Sequence, residues 1–166
     1  LTPDKIDIVI HTHLHNDHCE NDYRCENAAF YVHEMELEHI HNPHPLDYRY
    51  LEDYIIDIED NGQIKALDGD AEICDGIRVM HTPAHTEGGL SVVVETDQGK
   101  AVITGFCTID ENFYPPKEVR AMEMDFIPPG THVNVYQAYD IMGRVKSMAD
   151  ILIPLHEPRF AALETV

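Results

Sequence analysis

Residues 11–18 read HTHLHNDH, four histidines and one aspartate in eight positions, directly after the apolar run IDIVI. Residues two apart in extended backbone point the same way, so His13 and His15 can grip one ion together. Asp17 and His18 lie past the strand end and can turn to a second ion or to a bound water. Neutral imidazole with carboxylate suits Zn, Fe or Mn, and a centre that keeps one coordination position open is catalytic rather than structural. The chain holds 12 histidines, enough for clusters to arise by composition in a polar loop. Spacing, the preceding strand and later partners must therefore carry the argument.

Two later stretches supply such partners. In HTPAHTEGG, residues 81–89, Pro83 fixes the backbone ahead of His85, and Gly88-Gly89 permits a tight entry into the next strand. His85 is the expected third ligand of the first ion. His156 follows the apolar run ILIPL, at the rim where a buried strand ends, and sites gather at such rims. The other histidines have plainer readings. His39, His41 and His44 in HIHNPH have no strand before them and read as a solvated helix end. His11 and His81 flank the ligand runs and buttress them or end strands. His132 stands either at a helix start or on a substrate-pocket wall. Tyr114 and Tyr136 are either substrate contacts or aromatic anchors.

The elements that must position these residues can be read from the pattern. Ile6 to Ile10 is a buried strand, nearly all apolar as in a sheet covered on both faces. ENDYRCEN predicts a short helix and AAFYVH a strand. Residues 34–60 read as mostly helical, broken by Pro43 and Pro45. QIKALDGDAEICDGIRVMHT, with its Asp-Gly turns, predicts antiparallel strands. GLSVVVET and KAVITGF pair around a DQG turn. FYPPKEV and FIPPG read as loop. Thr131 caps a helix over residues 132–149, with a stripe through Val133, Tyr136, Ile141, Val145 and Met148, and ILIPL is the last strand. The order predicts a layered α/β domain with mixed sheets.

Composition narrows the partners. Net charge is -20, with 31 acids against 11 Lys and Arg, which disfavours nucleic acid and anionic membrane surfaces. No run approaches a membrane span, no leader is seen, and Cys19, Cys25, Cys74 and Cys107 form no C-x-x-C pair. The expectation is a cytoplasmic protein with free thiols.

HTHLHNDH, HTPAHTEGG, VITGF and LIPLH, in this order, resemble the metallo-β-lactamase-fold hydrolase superfamily. The stretch from LTPDKIDIVI to CTIDENF is most similar to its N-acyl-homoserine-lactonase-like branch. The resemblance implies an αβ/βα four-layer sandwich and a single metallo-hydrolase domain over residues 1–166, corresponding to the C-terminal two-thirds of a family domain. The strands that normally precede H-x-H-x-D-H are absent, so the resemblance implies association into an oligomer or completion by those strands. It further implies one or two zinc ions, with iron or manganese as alternatives. His13, His15 and His85 would hold the first ion, and Asp17, His18 and His156 the second. A metal-bound hydroxide would cleave an ester-type bond, lactone or thioester, of a small molecule, with Asp17 holding the water and shuttling its proton.

One departure bears on metal count. Phe106 in VITGFC occupies the position of the family's bridging aspartate, and phenylalanine cannot ligate. Cys107 next to it is a candidate ligand only if a bend re-aims it; otherwise it is an inert thiol. Phe106, Tyr114 and His132 are candidate pocket residues, on walls shaped by residues 34–60 and 106–131. Two rivals follow from the departure: a mononuclear iron oxidoreductase resembling persulfide dioxygenases, and a non-catalytic metal-binding or assembly subunit.

Overall fold

The computed structural model describes residues 2–163. Three parallel strands form one sheet in the order β1 (Ile8–Ile10), β2 (Ala29–His33), β3 (Ile64–Leu67). Val9 pairs with Phe30, and Phe30 with Ile64. Five strands form the second sheet in chain order: β4 (Ala71–Cys74), β5 (Ile77–His81), β6 (Leu90–Thr96), β7 (Gly99–Ile103) and β8 (Ile151–Ile153). Its first four strands run antiparallel, and β8 joins β7 in parallel. Helices are α1 (Asn16–Cys19), α2 (Glu34–His41), α3 (Ile56–Asp60), α4 (Asp110–Phe113), α5 (Lys117–Arg120) and α6 (Val135–Met148).

The alternation along the second sheet sorts its residues onto two faces. Met80, Val93, Val102 and Leu152 pack with Ala138, Met142 and Val145 of α6. Val79 and Val92 face the other way, against Ile10 and Leu67 of the first sheet. The first sheet covers its remaining face with Ile40 of α2 and Ile58 of α3, over Phe30 and Val32. Helix, sheet, sheet and helix thus make four layers with three apolar seams, each fully buried Val, Leu or Phe contributing about 1.5–3 kcal/mol of transfer free energy.

Several elements depart from the sequence reading. Ile64–Leu67 is not part of the antiparallel set; it pairs in parallel with β2, because the intervening helical segment returns the chain as a parallel crossover. Only after Asp68-Gly69 does the chain pass to the second sheet. The expected helix in ENDYRCEN starts earlier, at Asn16, and a 3-10 turn at Asp22–Arg24 follows it. Residues 42–51 between α2 and the next turn are irregular. A turn of helix, α5, follows Pro116 where loop was expected. Asn134, not Thr131, caps α6, its side-chain oxygen accepting from the N–H groups of Tyr136 and Gln137. The buried stripe is Ala138, Met142 and Val145, while Val133 and Tyr136 are exposed.

Candidate metal centre

β1 ends at Ile10, and the chain runs on extended into the histidines. Two backbone bonds hold this run in the seam between sheets: His11 N–H donates to Tyr31 O at 2.9 Å, and Leu90 N–H to Thr12 O at 2.8 Å. His13 and His15 project to one side, their ring centroids 4.7 Å apart. His85 enters from the β5–β6 loop, which is closed by Thr82 N–H on Gly89 O at 2.7 Å. Its ring lies 4.9 Å from each of the other two. One nitrogen from each of His13, His15 and His85 falls within 4.8 Å of the others.

The outward nitrogens of these rings meet oxygen acceptors. Thr12 Oγ1 lies 3.1 Å from His13 Nδ1, Asp47 Oδ2 lies 3.2 Å from His15 Nε2, and Thr131 O lies 3.2 Å from His85 Nδ1. The ring protons belong on those outward atoms, which turns lone pairs on His13 Nε2, His15 Nδ1 and His85 Nε2 inward. His13 Nε2 is buried and has no hydrogen-bond partner, a costly condition for a polar atom unless an ion satisfies it. Burial, then the neighbouring His18, His85 and His15, holds the His13 pKa well below the ordinary imidazole value. Burial, with Arg49 adding and Asp47 opposing, lowers that of His15 to about 4. Burial likewise lowers His85 and His18, opposed by the Thr131 carbonyl and by Asp17 respectively. The rings are neutral at pH 7, as ligands must be. The donor set fits a divalent zinc-like ion with a position left open.

The other expected ligands surround this triad without joining it. The His18 ring is 4.1 Å from that of His13 and 6.3 Å from that of the exposed His156. Asp17 is 63% exposed, with Oδ2 at 3.5 Å from His18 Nε2. Cys107 is half-buried, and all four thiols are free. The three weaker pocket residues lie elsewhere. Phe106 is fully enclosed in the α6 core, its ring 6.2 Å from that of Phe113, so it lines no pocket. The bend that sends it there needs Gly105, where a Cβ would sit 1.9 Å from Leu90 O. Tyr114 is exposed and takes Lys146 over its ring. His132 is exposed, its Nδ1 donating to Pro129 O at 2.8 Å. His41 bridges Glu52 and Glu59, and His39 contacts Glu87, as a solvated helix end would.

Residues unflagged in the sequence hold the histidine rings in place. Asp47, itself held by Arg49 Nε at 2.8 Å, orients His15. Arg49 O accepts from Asn16 N–H at 2.8 Å, and the Tyr50 ring packs tilted against His15 at 4.6 Å. Asp22 Oδ2 sits 2.8 Å from His11 Nε2, both buried, out of line for a hydrogen bond. A concavity of about 240 Å³ lies by Asp70, Arg78, Met80 and Met148. It contains no histidine, and among the described residues the cluster able to hold a metal is the triad.

The metallo-beta-lactamase superfamily signature matches residues 1–105, more than half of the chain. The chain belongs to the metallo-beta-lactamase superfamily. Among its superfamily relatives, an N-acyl homoserine lactonase of a Bacillus species is 30% identical over 111 residues, which is 67% of this chain and 40% of that protein. A probable metallo-hydrolase of Methanocaldococcus jannaschii is 28% identical over 157 residues, 95% of this chain and 60% of that one. The solved structure of an N-acyl homoserine lactone hydrolase, with its product N-hexanoyl-L-homoserine at the catalytic metal center, superposes with a TM-score of 0.73 at 24% identity. That superposition covers 96% of this chain and 59% of the other. The chain therefore spans 40–60% of these superfamily relatives, and the four-layer arrangement is the shared fold. Among the described residues no helix is long and apolar enough to cross a membrane.

Proposed function

We propose that this chain carries the metal centre of a hydrolase that opens an ester-type bond in a small molecule, with lactones the favoured class and thioesters next. The observation that carries this reading is the triad itself: three neutral imidazoles from two sheets, each with its outer nitrogen on an acceptor and its inner lone pair free. A zinc ion, held by His13, His15 and His85, supplies Lewis acidity and a water acidic enough to attack at neutral pH. The chain's own groups do the rest. Asp47 and the Thr131 carbonyl fix the two rings they touch. Asp17, exposed at the start of α1, takes the proton from the attacking water and returns it to the leaving oxygen. His18 lies between Asp17 and the triad and, with His156, marks where a second ion would sit. With Phe106 in the core, no carboxylate reaches between two ions from that position, which favours one ion per chain. The substrate is small and not polyanionic, in keeping with the net charge of -20, and association into oligomers accompanies this function. We place the protein in the cytoplasm.

The test is elemental analysis of protein purified without added metal, followed by a screen of lactones, thioesters and phosphodiesters. One zinc per chain with lactone opening is expected. Iron with oxygen uptake would replace this reading by the oxidoreductase one. Bound metal with silence across every substrate would leave a metal-binding subunit.

A further inference from the structure

Glu36 is fully buried in α2, on the apolar face beside Ile40. A leucine or methionine would fill such a position at less cost, because a buried carboxyl must be compensated by hydrogen bonds. Its Oε2 accepts two: the N–H of Leu14 and the O–H of Tyr50, each at 2.9 Å. Oε1 is buried with no hydrogen bond. Leu14 is the residue between His13 and His15, past the end of β1, so its N–H has no strand to pair with and depends on this one acceptor. Tyr50 is the ring that packs against His15, tilted 59° at 4.6 Å. The third contact is with the His85 loop. A Cβ at Gly88 would come within 2.8 Å of Glu36 Cγ and Oε1 and 2.9 Å of its backbone N, so the loop that delivers His85 rests directly on this side chain.

We propose that Glu36 is the positioning residue of the metal centre, one carboxyl that sets the peptide between His13 and His15, the wall behind His15 and the seat of the His85 loop together. This rests on the triad being a metal site. Without the acceptor, the Leu14 peptide is free to rotate and the two flanking rings lose their common aim. Tyr50 at the same time loses the bond that presses it against His15. Glu36 touches none of the three rings' inner nitrogens, so it acts through the ligands rather than as one.

Zinc affinity is measured on the whole chain by competition with a chromophoric chelator, beside far-UV circular dichroism and the melting temperature of metal-free protein. Glu36→Leu is expected to weaken zinc binding about 10- to 100-fold, the usual cost of losing a group that orients ligands, in protein whose dichroism is unchanged. Glu36→Gln, whose carbonyl oxygen can accept both hydrogen bonds, stays within about threefold of the parent, and Tyr50→Phe falls about fivefold, one net hydrogen bond. A purely structural Glu36 would lower the melting temperature and leave the affinity of the folded protein alone, and that result overturns the proposal. So does Glu36→Gln falling as far as Glu36→Leu. If Glu36→Leu fails to fold, Tyr50→Phe decides, and unchanged affinity there is refutation. Absence of zinc binding by the parent chain is a different failure: it removes the metal-centre reading itself and this proposal with it.

Discussion

The contact between Asp47 and His15 gives a perturbation whose size can be worked out. Asp47→Ala removes the acceptor of the His15 Nε2 proton and strands Arg49, whose Nε bonds the other carboxylate oxygen. A hydrogen bond to a charged group contributes about 1.5–3 kcal/mol net. Two features argue for the bottom of that range: the His15 contact is long at 3.2 Å, and the Asp47 side chain is 26% exposed. About 1.4 kcal/mol corresponds to one factor of ten in an equilibrium constant. Zinc affinity is therefore expected to fall about tenfold, since an unheld His15 ring can rotate and its lone pair loses the push of the carboxylate. Chelator competition at pH 7.5 in low salt measures it. Arg49→Ala should produce a smaller loss, and the double variant should lose less than the two losses combined, because both act through one oriented carboxylate. An Asp47→Ala protein that binds zinc within twofold of the parent would refute the reasoning, and with it the assignment of the inner nitrogens.

The metal-free protein should lose stability in acid. Burial holds the pKa values of His13, His15 and His85 below the ordinary value of about 6.5, so the unfolded chain takes up protons first as pH falls. The stability these neutral rings share is complete above about pH 6.5 and declines toward pH 4, near the His15 value; urea midpoints at pH 7.5 and 5.0 should show the fall, and His15→Asn should reduce its size. Phe106→Ala should destabilise the fold by about 3–5 kcal/mol, the usual cost of emptying a well-packed aromatic site, read as a lower denaturant midpoint at constant slope. Phe106→Asp should be more damaging still, with no gain of a second ion, because the side chain points into the α6 core.

The histidine triad was legible because its signal is local: an extended H-x-H after an apolar strand, and a histidine held between proline and paired glycines. The pairing of β6 with β7 was legible for the same reason, as two apolar runs around a DQG turn. What escaped was placed by tertiary contact. Asp47 lies 32 residues from His15 in an irregular, proline-marked stretch with no period to read. Glu36 looked like one more acid in EMELEHIH, although its spacing of four from Ile40 put it on the buried face, and that clash of polarity with position was the available clue. β3 was assigned to the wrong sheet because alternation identifies a strand and says nothing about its partner. Thr131 was read as a cap from residue type alone, whereas its carbonyl serves His85 and the chain around it is pinned by Val133 N–H on Ala84 O.

His13 and His15 extend from the three-stranded sheet, while His85 hangs from the five-stranded one, and the Leu90–Thr12 bond crosses between them. An ion held by all three is thus a rivet through the two halves of the sandwich. Its uptake and the closure of that joint share one free energy, so each must strengthen the other. Demetallation should accordingly speed amide exchange first along this joint, at Thr12 to His15 and Thr82 to Leu90, before the outer helices feel it.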